Sequence, residues 1–191
     1  MDIFIETGKS CMVRKIVVLL AGIVWFTVLH AQTYVPVDDS SSINFSIKNL
    51  GIKVKGSFSG LQGAIVFDPA QPEKSVFEVQ VSAASVNTGN EKRDDHLRQE
   101  VFFDVKNYPH IKFVSTKVVP GRKAGTFFME GTLTIKSISL PISFPFTVTP
   151  TTGGYWLEGK LGMRRKPFLV GRTSTISDKL TVFLRVLTKR V

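Results

Sequence analysis

Residues 126–163 read TFFMEGTLTIKSISLPISFPFTVTPTTGGYWLEGKLGM, and the period of this stretch decides the fold. Phe127, Met129, Gly131, Leu133 and Ile135 occupy every second position. Ile142, Phe144, Phe146 and Val148 do the same, and so do Tyr155, Leu157, Gly159, Leu161 and Met163. Successive side chains of a strand point to opposite sides of its sheet, so a period of two predicts strands with one buried face. Pro150 to Gly154 supplies turn chemistry between the second and third runs.

The same period extends in both directions. Upstream it is carried by Ile43, Phe45 and Ile47, by Val54, Gly56 and Phe58, and by Phe77, Val79 and Val81. Downstream it is carried by Leu180, Val182, Leu184 and Val186. Asp68-Pro69 and Pro120-Gly121 mark further turns. Eight or nine strands at this spacing predict an all-β sandwich or barrel. A small eight-stranded barrel either fills its interior with side chains or keeps room for one ligand, and Gly56, Gly131 and Gly159 on the apolar faces read as places where room is left.

One stretch breaks the pattern, from Asn87 to Pro109. Thr88-Gly89-Asn90-Glu91 has the form of a capping box, which predicts a short helix through about Leu97. A long excursion on a compact β scaffold is a frequent source of lids and cavity mouths.

The chain has 191 residues, 43% of them hydrophobic, with 25 Lys plus Arg against 15 Asp plus Glu and a single Cys. That is too apolar for a disordered chain and short enough for one domain. Arg14-Lys15, the uncharged apolar run Ile16 to Leu29, and Ala31 have the order of a secretory signal, so residues 1–31 are expected to be removed and 32–191 to form the domain. A retained single-span anchor is the competing reading, and Met12 begins a more conventional signal than Met1. Cleavage would remove Cys11, the only thiol, leaving a periplasmic or secreted protein that relies on its core. For such a protein the basic balance fits peripheral contact with anionic lipid head groups better than nucleic acid, with a plain solvated surface as the alternative.

Chemistry-bearing motifs are sparse. His96 and His110 have no metal-ligand spacing around them, no nucleophile elbow or phosphate-cradling loop is present, and Asp94 and Asp95 beside Arg93 and Arg98 read as helix-surface ion pairing. Phe is abundant: 15 against 2 Trp and 3 Tyr. By itself this reads as an ordinary barrel core.

Ala84-Ser85-Val86-Asn87-Thr88-Gly89, Arg93-Asp94-x-His96-Leu97, Phe102-Phe103-Asp104 and Tyr108-Pro109 together resemble the central signature of the YceI-like polyisoprenoid-binding proteins. Phe45 to Gly51, Gly56-x-Phe58 and Gly63-x-Ile65-x-Phe67-Asp68 support the resemblance upstream. Phe113-x-Ser115-Thr116 and Gly131-x-Leu133-Thr134-Ile135 support it downstream, so it covers about residues 34 to 188. Two positions depart from the family pattern: Asn49 stands where many members carry His, and Ser137 with Leu140 replaces the usual Gly and Lys of a turn.

The resemblance implies an exported, eight-stranded antiparallel lipocalin-like β-barrel with one short helical excursion. It would hold an isoprenoid lipid or isoprenoid quinone in an apolar pore, require no cofactor and catalyse nothing. Phe45, Phe58, Phe67, Phe77, Phe113, Phe127, Leu133, Phe144, Phe146 and Leu161 are then expected to line the pore. Arg93 and His96, three residues apart on the helix, and Arg165 in another non-strand segment are expected near the ligand head group at the mouth. An enzyme acting on such a lipid, with His96 as acid or base, and an outer-membrane eight-stranded barrel are the alternatives. A homodimer is left open.

Overall fold

The computed structural model describes residues 32–172 and 175–191; the signal peptide read at residues 1–31 lies outside them. Ten strands follow in order: β1 Thr33–Pro36, β2 Ser42–Asn49, β3 Ile52–Phe58, β4 Gln62–Val66, β5 Val76–Ser82, β6 His110–Pro120, β7 Thr126–Ile135, β8 Ile138–Thr151, β9 Gly154–Arg164 and β10 Ile176–Arg190. The helix α1, Glu91–Arg98, lies between β5 and β6.

All pairings are antiparallel. The order β1-β4-β5-β6-β7-β8-β9-β10 closes on itself through a β1–β10 ladder, giving an eight-stranded barrel. The expected fold class is therefore correct, with one addition. Strand β10 is 15 residues long, and its two halves have different partners. Thr188 to Arg190 pair with β1 and close the barrel, while Ile176 to Arg185 pair with β2, which carries β3 beyond it as a hairpin. The β2–β3 hairpin thus forms an extension of the wall, toward the end of the barrel that holds α1.

Local sequence explains where this wall bends and splits. Gly60 and Leu61 donate their backbone N–H groups to the Asp38 carboxylate at 2.9 and 2.7 Å, which pins the corner between β3 and β4. A register shift between Ser115 and Lys117 puts a bulge in β6, so the inward face changes from Phe113 and Ser115 to Val118. Pro141 and Pro145 interrupt donation along β8, and its ladder to β9 begins only at Phe146. Near that gap the turn Lys166–Phe168 packs inward, with Phe168 buried beside Phe102, Ile135 and Val170.

The helix is where the sequence predicts it, but its cap is different. Asn90 accepts from the Arg93 backbone N–H at 3.0 Å and is the N-cap. Thr88 is occupied elsewhere: its amide and hydroxyl both donate to Asp94 Oδ1, and its hydroxyl accepts from Arg93 Nε. Asp94 is consequently buried, and only Asp95 makes the expected surface pair, with Arg98 at 2.7 Å.

The outward faces carry Lys53, Lys55, Glu78, Lys112, Glu130, Glu158, Lys160 and Arg185, all exposed and spread over β3, β5, β6, β7, β9 and β10. A lipid-facing barrel surface does not tolerate charge so distributed, which counts against the outer-membrane alternative.

Candidate functional site

The inward faces do different things at the two ends of the barrel. At the β1-closed end Phe67 is 1% exposed and its ring lies 5.4 Å from Phe127, 5.4 Å from Tyr155 and 5.8 Å from Phe77, mostly edge to face. Tyr34 stands edge-on to Tyr155 at 5.2 Å. These rings form a solid plug. Burial first, and then the neighbouring Tyr34, push the Tyr155 phenol up to about 12.

Beyond the plug is a cavity of about 270 Å³. Its lining is apolar apart from a few groups at its edge. The inward residues of β2, β3 and β10, among them Ile43, Ile47, Val54, Val182 and Leu184, are only half-buried, whereas Phe77, Met129, Phe144, Leu157 and Leu161 opposite are buried. The unfilled space therefore lies against the wall that the β2–β3 hairpin builds.

Of the expected lining residues, Phe45, Phe58, Phe77, Phe113, Leu133, Phe144, Phe146 and Leu161 face this cavity. Phe67 and Phe127 do not. They belong to the plug, because β1 and β4 bring Tyr34 and Phe67 inward at that end and leave no space there. The alternation identifies an inward face without saying how far along the barrel the interior is filled. It also under-weights the aliphatic wall: Ile43, Ile47, Val54, Leu180 and Val182 line the cavity and were legible as inward positions, as were the Phe residues beside them.

The glycines correct another expectation. A Cβ at Gly56 would collide with the Phe45 ring and one at Gly131 with the Phe113 ring, and one at Gly159 would sit 3.4 Å from Phe144. Gly56 and Gly131 thus make room for a neighbouring phenylalanine ring instead of leaving the lumen open, while at Gly159 a side chain would meet Phe144 in ordinary contact.

The polar candidates separate. Arg93 reaches the cavity edge, held by Nε to the Thr88 hydroxyl at 2.7 Å and Nη2 to the Thr88 carbonyl at 2.9 Å. His96 is exposed, stacks edge-on against Phe102 at 5.0 Å and does not line the cavity. The two share a helix but not a destination.

Arg165, expected at the mouth, is among the lining residues, but it is only 5% exposed and its Nε, Nη1 and Nη2 all donate to backbone carbonyls. Nε bonds to the Ser177 carbonyl, Nη1 to the carbonyls of Val170 and Gly171, and Nη2 to that of Ile176. Desolvation lowers its pKa, opposed by the nearby Asp178. Its function visible here is to fasten the β9–β10 connection. Asn49 is a polar lining residue that spacing did not single out as a contact: its Oδ1 is buried at the cavity with no hydrogen-bond partner among the described residues.

The YceI-like domain model matches residues 34–187. A UPF0312 protein of Pseudomonas fluorescens is 34% identical over 137 residues, 66% of this chain and 69% of that protein. The crystal structure of Burkholderia cenocepacia BcnA superposes with a TM-score of 0.73 at 25% identity, covering 78% of this chain and 96% of that one. A Saccharophagus degradans domain described as polyisoprenoid binding and implicated in plant cell wall breakdown shares the fold, with a TM-score of 0.68 at 14% identity over 84% and 99% of the two chains. A barrel with one plugged end, an apolar cavity and α1 beside it, matched by the family model over nearly all its described length, places this chain in the YceI-like family.

Proposed function

We propose that this protein is an exported, non-catalytic carrier that holds an isoprenoid lipid or the tail of an isoprenoid quinone. The observation that carries the reading is the apolar cavity of about 270 Å³ against the β10–β2–β3 wall. Its size is near the lower end of small-molecule sites. Each buried CH2 contributes about 0.8 kcal/mol, so a hydrocarbon tail binds by contact alone and needs few polar groups. Arg93 at the edge can donate to an oxygen at the polar end of such a ligand, and Asn49 Oδ1, which has no partner among the described residues, can accept from a hydroxyl there. Membership of a family known for polyisoprenoid binding supports the same ligand class, and the Arg14-Lys15 to Ala31 segment supports export to the periplasm or beyond.

Native mass spectrometry of protein purified from the periplasmic fraction without detergent tests this reading. A bound isoprenoid, recovered chemically unchanged on solvent extraction, is the expected result. Val182 lies on the half-buried wall, so Val182→Trp is expected to fill the cavity and abolish the bound mass while the barrel still folds. Recovery of an altered lipid, or of no lipid from protein made in cells rich in isoprenoids, would overturn it.

A further inference from the structure

The cavity edge displays apolar side chains that the barrel itself does not cover. Strands β2 and β3 are joined by the two-residue turn Leu50-Gly51, with φ of 49° and 82°. Two positive φ values in succession define the turn type that favours Asn-Gly, because a bulky side chain is strained there. Here the first position is Leu, and it is 77% exposed, with Ile52 next to the turn 71% exposed. An Asn there would relieve both the strain and the exposure, so the conformation and the hydration of Leu50 are both unfavourable.

A second leucine repeats the combination. Leu169 has φ of 58° and is 39% exposed, in the β9–β10 connection. This connection and the hairpin tip belong to one edge. Ile176 pairs with Asn49, Arg165 binds the carbonyls of both Ile176 and Val170, and the Gly171 N–H donates to the carbonyl of Val101, itself 52% exposed. Asn49, Arg165, Val170 and Ile176 line the cavity, so the exposed leucines flank its edge.

The hairpin that carries Leu50 and Ile52 has charge of one sign. Between Asp39 and Asp68 the sequence contains no carboxylate and three lysines, Lys48, Lys53 and Lys55. All three are exposed, and Lys48 and Lys53 stand directly opposite each other in the ladder, an unfavourable like-charge pair. Among the described residues none of the three makes an ion pair.

We infer that this edge is a membrane-docking surface, in which Leu50 and Ile52 enter the acyl boundary of an anionic bilayer while Lys48, Lys53 and Lys55 contact its head groups. Anionic lipid supplies the charge that the lysines lack and an apolar medium for the tip. The inference deepens the carrier reading, since an insoluble ligand passes most directly between bilayer and cavity where the two adjoin.

The test uses the full-length chain with Cys11→Ser and an environment-sensitive NBD label on one introduced thiol, either V101C at this edge or T152C in the exposed β8–β9 turn at the plugged end. Because the readout is positional, membrane association through residues 1–31 does not mimic it. With phosphatidylcholine vesicles containing about 30% phosphatidylglycerol, the label at 101 is expected to shift to the blue and the label at 152 to stay unchanged. Leu50→Asn with Ile52→Thr is expected to weaken the apparent vesicle affinity about tenfold or more. The melting temperature should hold or rise, as Asn suits the turn. Lys48→Gln with Lys53→Gln, or about 0.5 M salt, is expected to weaken it similarly.

No response at 101, equal responses at 101 and 152, or a response indifferent to the Leu50 and Ile52 changes would overturn the inference. So would sedimentation showing a dimer that those changes dissociate, which would make a second copy the occupant. The Val182→Trp variant separates the two readings: it is expected to lose isoprenoid and keep the vesicle response. A wild-type chain that docks but never holds isoprenoid would overturn the carrier reading alone, and one that holds isoprenoid but does not dock would overturn docking alone.

Discussion

The plugged end and the cavity end are built from the same alternation of apolar residues, and they differ in what closes over it. At the plugged end the short β1 completes the cylinder, so Tyr34, Phe67, Phe127 and Tyr155 meet across a narrow interior and fill it. At the other end β10 passes to β2 and β3, the perimeter widens, and the facing side chains stop short of one another. Stability and ligand space therefore come from one sequence pattern, apportioned by a change of partner along a single long strand.

The largest expected effect that breaks this division is at Phe67. Phe67→Ala removes a fully buried ring from the centre of the aromatic cluster and is expected to cost about 3 to 5 kcal/mol, because the packed neighbours cannot collapse into the void. Chemical denaturation measures that loss. Below the melting transition, isoprenoid affinity should change little. A comparable fall in affinity for the folded protein would mean that the plug and the cavity are one unit.

Gly56 sharpens the comparison from the cavity side. Gly56→Ala drives a methyl group into the space held by Phe45, whose ring must then swing away from β3 and into the cavity. A destabilisation of about 1 to 3 kcal/mol is expected, with a loss of isoprenoid affinity larger in proportion than that of Phe67→Ala. Gly162→Ala is the matched control: nothing lies within 4 Å of the added atom, so neither quantity should move. If Gly56→Ala enlarges ligand capacity instead, glycine is not seating the ring.

How much of this was legible in the sequence follows from the range of each interaction. Period-two runs identify β2, β3, β5 and β7 to β10 because their signal is local and repeated. Strand β1 is four residues long, and its importance lies in pairing with the far end of the chain, which no local period reveals. The bulge in β6 changes phase between Ser115 and Val118, which interrupts the alternation at a point where the strand continues.

The site shows the same division. Arg93 was legible as a basic residue on a predicted helix, but the i, i+3 rule that grouped it with His96 ignores the pull of Thr88 on one side chain and Phe102 on the other. Thr88 itself satisfies the pattern of a cap and is diverted by the buried Asp94. Asn49 and Arg165 gain their meaning from burial, a tertiary property: one leaves an acceptor at the cavity, and the other spends a buried cation on four backbone carbonyls.

Titration is expected to loosen the two ends at opposite extremes of pH. At the plug, Tyr155 has its folded pKa raised from 10.0 to about 12. Its neutral form is favoured by folding, so that contribution is intact below pH 10 and is lost as the pH rises through about 12. Tyr155→Phe is expected to remove this alkaline limb from the stability profile. A limb that persists unchanged would show that Tyr155 does not produce it.

The smaller effect belongs to the cavity edge. Asp178 has its pKa lowered, chiefly because its carboxylate accepts the Lys166 backbone N–H at 2.9 Å and further because it accepts from Arg164 at 2.6 Å. A depressed carboxylate stabilises the folded form above its unfolded pKa, near 3.9, and that contribution is lost as the pH falls through the lower folded value. Arg165 still fastens the same connection through carbonyls that do not titrate, so acid should weaken this edge without unfolding the barrel. Hydrogen exchange below pH 4 is expected to release the Lys166 amide before the β7–β8 ladder, and Asp178→Asn should make that release independent of pH. Simultaneous release of both would show that the β9–β10 connection opens only with the whole barrel, and the two ends would then respond to acid as one body.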